Sequence, residues 1–150
     1  MTQEDKELLL KDLCVRLPYG VFCVGTTYEL DDDGERYIPA KVKDTLTEIH
    51  NYKLETASVR LGLISSCKLE TVKPYLRPMS SMTEEEEKEF IKILDLEMEA
   101  LSAPEGHTIA SAASSTFEID FYNKHHFDYR GLIEKGLAIE VTKENNPYKN

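Results

Sequence analysis

No apolar run in this 150-residue chain approaches the length needed to cross a bilayer. The opening residues, MTQEDKE, lack the basic-then-apolar pattern of a secretory signal, and a cytoplasmic location is the expectation. Cysteine is sparse: Cys14, Cys23 and Cys67 are odd in number, widely spaced and without a C-x-x-C pair. In apolar company they read as reduced core residues, neither a disulfide framework nor a zinc site. The glycines form neither a phosphate loop nor G-x-G-x-x-G, and no serine stands in G-x-S-x-G, which removes the familiar nucleotide-fold and hydrolase-elbow signatures. Basic charge is the scarcer sign, with 18 Lys and Arg against 28 Asp and Glu, for a net −10. That balance argues against general binding to nucleic-acid backbone and suits solubility or a basic partner surface.

The richest stretch is Val72–Leu101. Thr83 followed by Glu84, Glu85 and Glu86 spells a helix start: the threonine hydroxyl accepts from the Glu86 N–H, and the Glu86 carboxylate accepts from the Thr83 N–H. The glutamates also sit at the positive end of the helix dipole. Phe90, Ile91, Leu94, Met98 and Leu101 share one face, which predicts an amphipathic helix lying on an apolar surface. Before it, Pro74 and Pro78 bracket Tyr75, Leu76 and Arg77 in an extended connector.

Toward the N-terminus, Thr2 and Asp5 form a weaker cap for a helix running to Leu17, with Leu9, Leu10, Leu13 and Cys14 at helical spacing. Pro18-Tyr19-Gly20 ends it. Val21–Leu30 reads as a strand, and Asp31–Gly34 as a hairpin turn, without the spaced acids and closing glutamate of a calcium loop. Tyr37–Ile49 follows as a strand with Pro39 marking an edge or bulge. Ser58–Ile64 and Cys67–Val72 complete four or five short strands. The expectation is an α+β fold: a small SH3-like antiparallel barrel or curled sheet covered by the N-terminal and Thr83 helices. Ser102–Ser115, rich in Ala and Ser, reads as a linker separating residues 1–101 from a C-terminal segment, 116–150. In that segment Thr116 caps a helix to about His126, Asp128 caps a second ending at Gly136, Leu137–Val141 is extended, and the tail is frayed.

Two phrases, KPYLRPMSSMTEEEEKEF and NKHHFDYRGLIEKGLAIE, together with LPYG at Leu17–Gly20, resemble a group of uncharacterised small proteins from phages and prophages of Bacteroides-like gut bacteria. The resemblance implies an accessory protein of a phage or mobile element in the host cell cytoplasm, of the kind that serves host takeover or evasion of host defence. It supplies no activity to carry over.

One dense polar constellation stands out: His125, His126, Asp128, Tyr129 and Arg130. Adjacent histidines point apart and no H-E-x-x-H is present, so a metal site and a cofactor are not expected. The structural reading is that the histidines end one helix and Asp128 caps the next. The functional reading is that His125, His126, Tyr129 and Arg130 stack on a base and clamp phosphate. Tyr75 and Arg77 are candidates for a binding edge, as an aromatic and an arginine often anchor interfaces. The preferred function is non-enzymatic binding of a host or phage protein or of a nucleotide signal. A phosphodiesterase or nuclease built on His125, His126 and Asp128, and a structural virion protein, are the alternatives. Homo-oligomerisation is expected because two amphipathic helices and a sheet edge are much apolar surface for one small sheet to cover.

Overall fold

A computed structural model describes residues 1–50, 53–102 and 107–149. Helix α1, Gln3–Arg16, begins with the capping box between Thr2 and Asp5. One turn of 3-10 helix and Gly20, at φ +64°, reverse the chain into β1, Phe22–Leu30, whose hairpin partner is β2, Tyr37–His50. The Asp31 carboxylate holds the turn by accepting from the Glu35 and Arg36 amides. Strands β3 (Ser58–Leu61), β4 (Ser65–Lys68) and β5 (Lys73–Leu76) precede helices α2 (Glu84–Ser102) and α3 (His107–Lys124), and β6 (Ile139–Glu140) ends the order.

These strands form an open six-stranded mixed sheet, β4-β3-β2-β1-β5-β6, antiparallel except for the parallel β5–β6 pair. The SH3-like antiparallel barrel is therefore corrected. Closure needs the two end strands to pair, whereas here β4 and β6 remain separate edges. The sheet still curls, since a Cβ on Gly25 would lie 2.8 Å from Cys67 Sγ in β4. Pro39 sits on a stretch of β2 that pairs with β1 but extends beyond the reach of β3, where a missing donor costs nothing.

One face of the sheet is the core. Leu9, Leu10 and Leu13 of α1 pack with Val21, Cys23, Leu46, Val59, Leu61, Leu69, Val72 and Leu76, and Leu132 and Leu137 complete the cluster. Cys23 and Cys67 are buried free thiols, but Cys14 is exposed on α1, contrary to its expected core place. Helix α2 starts as expected, with both halves of the Thr83–Glu86 box in place. It does not lie on the sheet. Its Phe90 ring packs against Phe121 and Tyr122 of α3, while Ile91 and Met98 are exposed; the Leu101 side chain lies outside those described.

The C-terminal third departs most from expectation. Residues 107–115 belong to α3 and are not linker, while 103–106 lie outside the described residues. Thr116 is thus inside a helix, without a capping role. The second short helix is absent: residues 129–136 form successive turns, so three α-helices stand in the described chain, with no C-terminal helical hairpin. Gly136, at φ +68°, does close those turns.

Candidate functional site

Helix α3 ends in a Schellman motif: the Phe127 N–H donates to Tyr122 O, and the His126 N–H donates to Asn123 O. His126 holds the left-handed position that usually takes glycine, at φ +58°. The motif's characteristic apolar contact is present as an edge-on approach of Phe127 to Tyr122, centroids 6.4 Å apart. The chain then bridges back to Arg77, whose N–H donates to His126 O, while the Asp128 N–H donates to Arg77 O. Two stretches singled out in the sequence, KPYLRP and NKHHFDYR, are therefore joined.

Their junction opens into a cleft of about 820 Å³ lined by Arg77, Thr83, Glu86, Lys124, His125, His126, Lys143, Tyr148 and Lys149, among others. Glu86 is its hub. The carboxylate accepts from Arg77 twice, at 2.6 and 2.9 Å, and from the Thr83 amide at 2.8 Å, and His125 Nδ1 lies 3.2 Å away. The Arg77 hydrogen bonds, with its positive charge, hold the Glu86 carboxyl down at about 2, against the opposing effect of burial. His125 Nε2 faces a second carboxylate, Glu89 Oε2, at 3.4 Å, and the ring rests against Phe121.

His126 has a different environment. Its ring stacks on Tyr148, and its Nδ1 is buried without a hydrogen-bond partner among the described residues. Burial, reinforced by the positive charge of Arg16 and Arg77, lowers its pKa to about 4. The tail, expected to fray, is anchored through that ring: the Tyr148 hydroxyl donates to Tyr75 O at 2.7 Å and accepts from the Phe22 amide at 3.2 Å. Burial raises the Tyr148 hydroxyl well above the ordinary phenol range.

The remaining predicted residues serve the scaffold. Tyr75 is buried, with Lys43 Nζ 4.5 Å from its ring centroid. Asp128 spends both oxygens on the backbone amides of Leu132 and Ile133. Tyr129 lies between the Arg16 and Arg130 guanidiniums, at 5.3 and 5.0 Å, and its hydroxyl donates to Asn123 Oδ1. This group surrounds a fully buried pair: Arg16 Nε donates to Asp12 Oδ2 at 2.7 Å, and its Nη2 donates to Phe127 O at 2.7 Å. Burial pushes the Asp12 carboxyl up, with Arg16 opposing. Neither partner was singled out in the sequence, although Asp12 and Arg16 stand four residues apart on the face that carries Leu9 and Leu13.

Sequence reasoning also missed Lys143, Tyr148 and Lys149, assigned to a polar tail in which the lone aromatic was the available signal. Among the described residues no cluster of three or more His, Cys, Asp or Glu is placed to hold a metal, and no helix is long and apolar enough to cross a membrane. A scan of protein-family models, a search of curated proteins and a search of solved structures each find no match to this chain.

Proposed function

We propose that this chain is a non-enzymatic binding protein whose cleft takes a small phosphate-bearing anion of nucleotide type, in a phage-side accessory role that sequesters a host signal. The observation that carries this reading is charge segregation. A chain of net −10 gathers Arg77, Lys124, Lys143 and Lys149 around one concavity, against two lining acids, Glu86 and Glu140. Glu86 is already engaged by Arg77, and Lys124 pairs with Glu89, so Lys143 and Lys149 are the cations with no ion pair among the described residues. A phosphate placed between them would meet positive charge on flexible stems.

Binding is favoured over turnover because the histidine–aspartate relay is not assembled. Asp128 has both oxygens committed to backbone amides and makes no hydrogen bond to either histidine among the described residues, so it orients neither ring as a general base. Calorimetric titration with inorganic phosphate and with nucleoside mono-, di- and triphosphates tests the proposal, with the products analysed for hydrolysis. Heat of binding, no turnover, and loss of binding in a Lys143→Glu/Lys149→Glu variant are expected. No heat with any of these ligands, or binding untouched by the double charge reversal, would sink it.

A further inference from the structure

Strand alternation gives β1, β2 and β5 two unlike faces. Toward the core lie Cys23, Gly25 and Thr27, all buried. The registers Val24↔Lys43, Thr26↔Lys41, Tyr28↔Pro39 and Leu30↔Tyr37 set the alternate residues on the opposite face, and Val24↔Lys73 adds Lys73 from β5. From Tyr37 to Lys43 of β2, and across β1 and β5, that outer face carries three lysines, Lys41, Lys43 and Lys73, and no carboxylate among the described residues; Glu48, past the bulge in β2, lies farther along and pairs with Arg60. In a chain with ten more acids than bases, this is a second local reversal of charge. Lys41 and Lys73 are exposed and make no ion pair among the described residues. Beside them Tyr28 and Tyr37 are 55% and 72% exposed, on adjoining rungs of the hairpin.

Edge protection explains part of this pattern. Lys41 and Pro39 lie where β2 has no outer neighbour, and both discourage edge pairing. It does not explain Lys73, which belongs to an interior strand of the sheet, or two tyrosine rings left in water.

We propose that the outer face of β1, β2 and β5 binds a segment of single-stranded nucleic acid, with Lys41, Lys43 and Lys73 on backbone phosphates and Tyr28 and Tyr37 stacked on bases. Fixed cations beside exposed aromatic rings are the two components of sequence-tolerant single-strand recognition. A duplex keeps its base faces inside its own stack, so the tyrosines have nothing to meet there. An acidic peptide would engage the lysines but makes no use of the rings. The acidity of the rest of the molecule opposes wide coverage of a polyanion and restricts binding to this face. The inference does not depend on the cleft.

Fluorescence anisotropy of the whole protein with labelled oligothymidylate tests it, using a duplex hairpin of equal length and polyglutamate as controls. Single-stranded binding is expected to weaken with salt, with a log–log slope of about −2 for three phosphate contacts. A Tyr28→Ala/Tyr37→Ala variant is expected to bind about tenfold or more weakly, and Lys41→Gln/Lys43→Gln/Lys73→Gln to lose the salt dependence. These side chains lie on the solvent side, and circular dichroism of each variant is the check that it folds. No binding of the oligonucleotide, equal binding of the duplex, or competition by polyglutamate with no effect of the tyrosine variant overturns the proposal.

Discussion

The His126 imidazole lies flat on the Tyr148 phenol ring, with centroids 3.9 Å apart and planes at 11°. A residue in a left-handed helix cap thereby holds the C-terminal tail, and the tail walls the cleft. Removing the Tyr148 hydroxyl with Tyr148→Phe should cost about 1 kcal/mol, through the lost bond to Tyr75 O. Tyr148→Ala should cost about 3 kcal/mol and release the tail. Chemical denaturation measures the first effect, and hydrogen exchange over residues 142–149 reads the second.

Because burial lowers the His126 pKa, folding favours the neutral ring. Its contribution is complete above the ordinary value of 6.5 and is lost as pH falls from there toward about 4. The ring protons of His126 should titrate near 4 in the folded protein by NMR. A His126→Asn variant keeps a side chain tolerant of positive φ and should flatten stability between those two pH values.

Glu86 acts in a lower window. Its carboxyl is held down at about 2, so its contribution is full above the ordinary 4.5 and disappears as pH falls toward 2. Glu86→Gln keeps the shape but removes the charge opposite Arg77. It should destabilise the fold by roughly 2 kcal/mol at neutral pH, with the difference from the parent closing in acid, as measured by denaturation at several pH values.

Asp128→Ala should remove two backbone caps and lower stability by about 1–2 kcal/mol, leaving ligand affinity in the cleft unchanged. Calorimetry and thermal unfolding of the same preparation separate those effects. Lost affinity with unchanged stability would return Asp128 to the site.

Gly25→Ala should be destabilising by about 1–3 kcal/mol, because the new methyl group meets Cys67 Sγ at 2.8 Å and Leu61 Cδ1 at 3.3 Å. Combining it with Cys67→Ala should restore part of the loss, a coupling that a double-mutant cycle of unfolding energies would detect.

Much of the local structure was legible. The Thr2 and Thr83 helix starts, the Asp31 turn and the β1–β2 hairpin are written in contiguous residues, since caps, turns and alternation act over a few positions. The candidate cluster was half legible. His125, His126 and Arg77 line one cleft, but Asp128, Tyr129 and Arg130 face the buried Asp12–Arg16 pair, and Tyr75 is covered. Chemical type alone did not sort them, because direction depends on the turn that follows α3.

What the sequence by itself determined are the short-range features: two capped helices, a long hairpin and a reversal of the chain at Gly20. Only the tertiary structure decided that the sheet stays open, that α2 packs on α3, and that the tail closes one side of a cleft. Those outcomes rest on pairings of distant residues, Tyr75 with Ile139, Phe90 with Phe121 and His126 with Tyr148. Each is a choice among many apolar and aromatic partners of similar local fitness, and it is settled by which arrangement buries them together.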